Sequence, residues 1–132
     1  MKKLLSFACA ALLGTAALAQ TGPMIQVDKD VHDYGNIQQG ANGECVFTVT
    51  NTGDAPLILT NCKGSCGCTV PKCDTAPIAP GQKSSITVRY DTKRTGPINK
   101  SVTISSNAVN EADKVVRIKG MVEGNAADGG NQ

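Results

Sequence analysis

The chain has 132 residues, a length that accommodates one folded domain. Its 13 basic residues stand against 11 acidic ones, aromatic residues make up 3% of the chain, and tryptophan is absent. Because there is no basic stripe and almost no aromatic side chain on which a base could stack, the composition excludes a nucleic-acid-binding surface.

The first 19 residues have the pattern of an export signal. Lys2 and Lys3 precede an apolar run, Leu4 to Leu13, that is too short for a membrane span. Ala17-Leu18-Ala19 is a small-residue cleavage site, so we expect cleavage after Ala19 and a mature chain that begins at Gln20. The loss of both lysines leaves the mature chain formally neutral. We expect an exported protein, periplasmic or extracellular, without a membrane span.

After a lead-in at residues 20–23, the alternation of apolar and polar side chains predicts seven strands. In chain order they are Met24–Asp28, Val31–Ile37, Glu44–Asn51, Leu57–Thr60, Ser84–Tyr90, Asn99–Ser106 and Lys114–Val122. The second is broken at Gly35. The alternation puts Cys45, Phe47 and Val49 on one face of the third strand, opposite a wetter threonine-rich face, and puts Ile86, Val88 and Tyr90 on one face of the fifth. No convincing helical period appears outside the signal. Strands at this spacing favour an all-β fold, an immunoglobulin-like β-sandwich over residues 24–123. Residues 124–132 form a low-complexity tail that we expect to be disordered.

The segment between the third and fourth strands reads as a tight turn. Asn51 to Pro56 is rich in residues that favour turns, so the two flanking strands are expected to form a hairpin. In that hairpin Cys45 lies opposite Cys62, provided that a bulge near Thr60 turns Cys62 inward. Residues 71–80 carry three prolines and are predicted to be a surface loop that ends in a Pro80-Gly81 turn.

Several short motifs occur in an order and spacing typical of one family. They are Asp33-Tyr34-Gly35-Asn36-Ile37, Phe47-Thr48-Val49-Thr50-Asn51-Thr52-Gly53, Pro56-Leu57-Ile58-Leu59, Ser65-Cys66-Gly67-Cys68-Thr69-Val70, Ile78-Ala79-Pro80-Gly81, Ile86-Thr87-Val88-Arg89-Tyr90-Asp91, Ser106-Asn107 and Ile118-Lys119-Gly120. Across about residues 24–123 the chain resembles the exported bacterial proteins called domain of unknown function 1573, whose fold is similar to Hydin-like immunoglobulin domains. The resemblance implies an exported, non-enzymatic β-sandwich of unestablished function, and it does not imply a ligand. Cys45, Cys62 and Cys73 depart from the family pattern.

Five cysteines remain in the mature chain, because Cys9 is lost with the signal. The disulfide candidates are Cys45, Cys62, Cys66, Cys68 and Cys73. Our leading interpretation is that they staple a core poor in aromatic residues, with Cys45 paired to Cys62 and Cys73 closing onto Cys66 or Cys68. One thiol is then left over. A direct Cys66–Cys68 bridge needs a bend, which a positive φ at Gly67 would allow.

Two alternatives use the same sulfurs differently. Cys62, Cys66, Cys68 and Cys73 would provide four thiolates for zinc or copper(I), although their spacing lacks the usual paired C-x2-C arrangement. A thiol-disulfide redox protein is the second alternative, although the chain has no Cys-x-x-Cys motif at a helix start.

Two other residues are candidates for a role. His32 is the only histidine, and without a nucleophile placed beside it in the sequence it is interpreted as a solvated residue at a strand end. Thr75 lies in Asp74-Thr75-Ala76, which resembles the acceptor of general O-glycosylation in some bacteria. It falls in the predicted surface loop, where such an acceptor would be accessible.

These observations favour an exported, non-enzymatic structural or interaction module. Its cysteine segment is expected to cap one end of the sandwich and to contribute to a recognition surface. The partner is an unidentified protein or glycan, and no cofactor, catalytic residue or resident metal is expected. No nucleophile–base–acid constellation is visible in the sequence, which disfavours a hydrolase.

Overall fold

A computed structural model describes residues 21–124, and the proposed signal and nearly all of the proposed tail lie outside this range. Within it the chain forms eight β-strands and no helix. The strands are β1 (Ile25–Val27), β2 (Val31–Gln38), β3 (Glu44–Asn51), β4 (Leu59–Gly64), β5 (Thr69–Lys72), β6 (Lys83–Tyr90), β7 (Gly96–Ser106) and β8 (Asp113–Glu123). The predicted all-β fold is confirmed, with β5 as an additional short strand.

The strands form two sheets of four, a first sheet in the order β1-β3-β6-β5 and a second in the order β2-β8-β7-β4. Neighbours are antiparallel except for β2 and β8, which run parallel. The β3–β4 hairpin predicted from the sequence is wrong, because the two strands belong to different sheets. Both edges of β3 are already paired, one with β1 and the other with β6, so the turn at residues 51–56 crosses from one layer to the other.

The core lies between the two sheets and consists mainly of branched aliphatic side chains. Period-two alternation places Cys45, Phe47 and Val49 of β3 on the buried face, as predicted. On β6 the buried residues are Ile86, Val88 and Tyr90, again as predicted. The second sheet contributes Leu59, Ile98, Val102, Ile104, Val116, Ile118 and Val122.

The parallel pairing of β2 with β8 is interrupted where the sequence predicts a break in β2. The register shifts between Asp33 and Asn36, and Gly35 adopts a φ of 66°. Opposite it, Gly120 has a φ of 152°, and a Cβ there would come within 2.9 Å of the Gly35 carbonyl oxygen. The two glycines therefore allow a close backbone approach that other residues would obstruct.

The proline-rich segment after β5 begins later than predicted. Pro71 lies within β5, at an edge of the first sheet, where a residue without an N–H is tolerated. The Pro80-Gly81 turn is confirmed: Gln82 donates its N–H to the Ala79 carbonyl at 2.9 Å, and Gly81 has a φ of 80°. Proline followed by a glycine of positive φ is the arrangement of a type II turn.

Candidate functional site

The cysteine-rich segment runs along one side of the sandwich, where the edge strands of the two sheets meet. β4 is an edge of the second sheet and β5 an edge of the first, and residues 65–68 connect them. The turn at residues 65–68 also lies beside residues 40–43 and 91–93, which connect β2 to β3 and β6 to β7, so it sits at one end of the sandwich, as the sequence suggested.

Two disulfides form in this segment, and neither is the pair favoured from the sequence. Cys62 bonds to Cys73 with a Cα–Cα distance of 6.3 Å, and Cys66 bonds to Cys68 at 5.3 Å. Cys45 is buried and unpaired. The expected Cys45–Cys62 bridge is wrong because it depended on the β3–β4 hairpin. A register irregularity does occur at Thr60, where a bulge was predicted, but it lies in the pairing of β4 with β7.

The Cys66–Cys68 bridge is made possible by a turn. The Thr69 N–H donates to the Cys66 carbonyl at 3.2 Å, which shortens the separation of the two cysteine Cα atoms relative to a flat strand. The positive φ expected at Gly67 is wrong, since Gly67 is not among the glycines in the left-handed region. The bridge therefore forms without a left-handed residue at position 67.

Polar groups surround the sulfurs of this bridge. The backbone N–H of Cys68 donates to the Sγ of Cys66 at 3.3 Å. The Oγ1 of Thr69 lies 3.9 Å from the Sγ of Cys66 and 3.7 Å from the Sγ of Cys68. Because disulfide sulfurs carry no hydrogen, the hydroxyl is the donor in these contacts. Thr69 is 2% exposed, so its hydroxyl is directed at the bridge from the buried side.

The four sulfurs considered as metal ligands are consumed by the two disulfides. A disulfide offers no thiolate, so Cys62, Cys66, Cys68 and Cys73 do not fit zinc or copper(I) in this bonding state. Within residues 21–124, no group of three or more histidine, cysteine or acidic side chains is arranged to hold a metal ion.

Cys45 keeps its thiol in the core, next to Tyr34. Burial raises the pKa of the Cys45 thiol, while a hydrogen bond with Tyr34 and the charge of Lys29 act in the opposite direction. Burial also raises the pKa of Tyr34, whose hydroxyl donates to the Gly43 carbonyl at 2.7 Å. Both groups are therefore neutral at physiological pH, and Cys45 behaves as a packed core residue.

A groove of about 650 Å³ adjoins the Cys66–Cys68 turn. Three backbone segments and one side chain of β5 form its walls: residues 40–44, residues 67–68, Val70 and residues 89–93. The sequence does not predict this groove. Its walls are distant in the chain, and only the glycines at 40, 43 and 67 hint at exposed turns there.

Hydrogen bonds tie the walls of the groove together. The Asp91 N–H donates to the Cys68 carbonyl at 2.9 Å, and the Tyr90 N–H donates to the Gly43 carbonyl at 2.9 Å. The Thr92 hydroxyl, in turn, donates to the Ala41 carbonyl at 2.6 Å. Since all three segments are connected in this way, the groove is formed before any ligand arrives.

The surface of the groove combines charge with an exposed aliphatic side chain. Arg89 forms an ion pair with Glu44 across β6 and β3 at 2.5 Å. Val70, beside this pair on β5, is 56% exposed, the largest value among the exposed large hydrophobic side chains of the described residues. A second, smaller depression with Lys72 and Thr87 continues along the same face.

The remaining candidates lie apart from the groove. His32 on β2 is 3.1 Å from the Lys29 amine through its Nδ1 and packs edge-on against the Tyr34 ring. Burial and the charge of Lys29 lower the pKa of His32.

Thr75 is exposed in the loop after β5, where the Asp74 carboxylate accepts the Ala76 N–H at 2.9 Å. The proposed cleavage site at Ala19 and Gln20 lies outside the described residues. Within residues 21–124 there is no helix whose length and apolar character would let it cross a membrane.

Solved structures share this fold at low sequence identity. A protein of unknown function from Porphyromonas gingivalis W83 aligns over 80% of this chain and 50% of its own, at 17% identity and a TM-score of 0.68. The PapD-like domain 7 of human CEP192 aligns over 76% and 86%, at 7% identity and a TM-score of 0.59. WR4, a member of the MSP family from C. elegans, aligns over 77% and 100%, at 16% identity and a TM-score of 0.52.

These likenesses show the immunoglobulin-like fold alone, and the chain spans only half the length of the Porphyromonas protein. No curated protein matches the sequence. A family model described as protein of unknown function (DUF1573) matches residues 25–122, which contain all of the cysteines in the two bridges. The chain therefore belongs to the DUF1573 family.

Proposed function

We propose that this protein is an exported, non-enzymatic interaction module that binds a segment of another protein in the groove beside the Cys66–Cys68 turn. The proposal rests on one observation: residues 40–44, 67–68 and 89–93 are hydrogen-bonded to one another and together form a concave surface. A preformed groove binds with less loss of conformational entropy than one that must be ordered on contact.

The chemistry of the groove favours a protein over a glycan. Val70 offers an apolar contact, and the Glu44–Arg89 pair offers both signs of charge to a peptide backbone or side chain. Sugar rings usually stack on exposed aromatic side chains. Among the described residues that line the groove, Tyr90 is the one aromatic, and it is only 5% exposed.

The polar groups of the groove support binding more than catalysis. The Asp91 carboxylate accepts the Lys93 N–H at 3.1 Å, and the Glu44 carboxylate is paired with Arg89. His32, the single histidine of the chain, is engaged with Lys29 and Tyr34 on β2. None of these three arrangements places a base beside a nucleophile. Acyl-transfer chemistry requires a nucleophile that is activated in this way.

Export forms part of the proposal and is supported by two features. Residues 1–19 have the pattern of a cleavable signal, and two disulfides occur between residues 62 and 73. Structural disulfides persist in oxidising compartments such as the periplasm and are rare in the cytosol.

Selection from a displayed peptide library tests the binding proposal. Peptides selected on the purified protein should bind the Val70→Asp variant at least about tenfold more weakly, because a carboxylate replaces the apolar contact. Val115→Asp is the matched control, since Val115 is 45% exposed on β8 of the other sheet. It should leave the dissociation constant unchanged.

Two outcomes contradict the proposal. Peptides that are equally sensitive to Val115→Asp would place the binding surface elsewhere. A glycan that binds to the wild type and is lost in Val70→Asp, while no peptide is selected, would replace the protein partner by a carbohydrate. Circular dichroism of both variants establishes that each is folded.

A further inference from the structure

We propose that the Cys66–Cys68 disulfide is a thiol-disulfide exchange site that accepts two electrons from a dithiol partner, while Cys62–Cys73 is the structural bridge. This exchange goes beyond the non-enzymatic binding proposed above, because it adds a redox reaction of the two sulfurs. Since it rests on these sulfurs and their hydrogen-bond donors, it is tested independently of peptide binding in the groove.

The two bridges constrain the chain very differently. Cys62–Cys73 has a sequence separation of 11 and joins β4 of one sheet to the residue after β5 of the other. Cys66–Cys68 has a separation of 2 and closes a ring inside a single turn that already has its own backbone hydrogen bond. Since a shorter loop restricts the unfolded chain less, stabilisation of the fold explains the first bridge better than the second.

The second bridge is also open to a reactant. Cys66 is partly exposed, whereas Cys68 is 7% exposed. Gly67 between them is exposed, and no heavy atom beyond those of residues 66–68 lies within 4 Å of the position that a Cβ would take. An incoming thiolate therefore meets little steric obstruction at the turn, and the Sγ of Cys66 is the more accessible of the two sulfurs.

Hydrogen-bond donors are placed where negative charge develops during reduction. The Cys68 N–H lies 3.3 Å from the Cys66 sulfur, and the buried Thr69 hydroxyl is within 4 Å of both sulfurs. A hydrogen bond to a thiolate stabilises the charged form and lowers the pKa of the thiol. These donors therefore favour the reduced pair, which makes the bridge a better oxidant.

The exchange takes place in two balanced steps. A partner thiolate attacks the Sγ of Cys66, the bond between Cys66 and Cys68 breaks, and Cys68 leaves as a thiolate beside the Thr69 hydroxyl. The partner's second thiolate then attacks the partner sulfur of the mixed disulfide and releases the Cys66 thiolate. The partner dithiol becomes a disulfide, and two electrons and two protons pass to Cys66 and Cys68.

Equilibration in glutathione buffers tests the proposal on the purified protein. After acid quenching and alkylation, trypsin cleaves at Lys63 and Lys72, which isolates Cys66 and Cys68 on one peptide and separates them from Cys62 and Cys73. The quantity compared is the ratio [GSH]²/[GSSG] at which each disulfide is half reduced. This ratio should be at least about a hundredfold lower for Cys66–Cys68 than for Cys62–Cys73. Equal midpoints, or earlier reduction of Cys62–Cys73, would overturn the proposal.

Single variants identify the attacked sulfur. In Cys68→Ser the remaining Cys66 thiol should form a mixed disulfide with oxidised glutathione at least about tenfold faster than the Cys68 thiol does in Cys66→Ser. Equal rates, or a faster Cys68, would show that the assignment of Cys66 as the exchanging sulfur is wrong.

Thr69 is a positioning residue in this proposal. Thr69→Val keeps the side-chain shape and removes the hydroxyl, so the Cys66–Cys68 midpoint should shift about tenfold toward more reducing buffer. Thr69→Ser should restore it, and the Cys62–Cys73 midpoint should not move. A shift of both midpoints together would indicate a structural effect of the substitution and would contradict the role of the hydroxyl.

Discussion

The side chain of Asn51 is fully buried at the end of β3, where it takes part in four hydrogen bonds. Its amide donates to the carbonyls of Ala55 and Ile78 at 2.7 and 2.8 Å. Its oxygen accepts the N–H groups of Gly53 at 2.9 Å and Met24 at 3.3 Å. One residue thus secures the turn that crosses between the sheets, whereas the sequence suggested only a residue that tolerates turn dihedrals.

Replacement of Asn51 by alanine should destabilise the protein by about 3 kcal/mol or more, because four buried or part-buried backbone groups lose their partners at once. Urea unfolding gives the free energy of unfolding. The exposed Asn61, on β4, is the matched control, and Asn61→Ala should change the stability by no more than about 0.5 kcal/mol. Similar losses for the two variants would show that the buried network contributes little.

The buried Cys45 thiol should make the protein less stable in alkaline solution. Its folded pKa is raised by burial, so the unfolded chain releases the thiol proton first as the pH rises. The free energy of unfolding should therefore fall above roughly pH 8.5, the ordinary pKa of a thiol, by up to about 1.4 kcal/mol per pH unit. Cys45→Val should remove this part of the slope between pH 9 and pH 10 in urea unfolding.

The raised pKa of Tyr34 acts in the same direction at higher pH, and that contribution should persist in the Cys45→Val variant. If wild type and variant lose stability with the same slope between pH 9 and pH 10, ionisation of Cys45 does not control the alkaline limit.

Thr75 is an exposed hydroxyl in a loop shaped by Asp74, and we expect it to carry an O-linked glycan in the source organism. Intact mass measurement of the isolated protein should then exceed the mass of the polypeptide. The excess should vanish in Thr75→Ala and persist in Thr60→Ala, which alters an exposed threonine on β4. A mass equal to that of the bare chain contradicts the modification.

The edge strands β4 and β5 depend on a covalent bond between layers. β4 pairs with β7 and β5 pairs with β6, so backbone hydrogen bonds tie each of them to its own sheet. Gly64, at the end of β4, lies so close to β5 that a Cβ would overlap the Thr69 carbonyl oxygen. The Cys62–Cys73 bond therefore adds a second covalent link, beside the chain connection at residues 65–68, between β4 and the residue that follows β5.

Replacement of both Cys62 and Cys73 by serine should lower the free energy of unfolding by about 3 kcal/mol, the value expected for a loop of this length. The Cys66→Ser/Cys68→Ser variant should lose roughly half as much, because its loop is shorter. Urea unfolding compares the two, and hydrogen exchange should show lost protection in β5 for the first variant only. A larger loss from the second variant would contradict this division of roles.

At the scale of the whole molecule, the protein is a two-sheet sandwich whose core is supported by covalent links. Phe47 and Tyr90 are the aromatic residues among the buried hydrophobic side chains of the described chain. Aliphatic packing between the sheets supplies most of the burial, and the bridge at one side adds a constraint on the unfolded state.

If the protein is exported, its mature form should have a defined N-terminus. Protein recovered from the periplasm or the medium should begin at Gln20 and lack Cys9, because cleavage follows Ala19. N-terminal peptide mapping of fractionated cells measures this directly. Full-length protein confined to the cytoplasm would contradict the export proposal.

The sequence by itself located seven of the eight strands and the buried faces of β3 and β6, because side-chain alternation is a local property with a period of two residues. It therefore predicted the buried residues of β3 and β6, the break at Gly35 and the turn at Pro80-Gly81. The family could also be identified from the sequence, because its short motifs occur in a characteristic order and spacing.

Only the tertiary structure decided which sheet each strand joins, and the disulfide partners and the groove depend on that choice. Cys45 and Cys62 appeared to be hairpin neighbours because the residues between them favour a turn, yet that turn crosses between layers. Turn residues specify that the chain reverses and do not specify which neighbour the returning strand pairs with. That neighbour is set by which distant edge still has free hydrogen-bonding groups, a property of the whole fold.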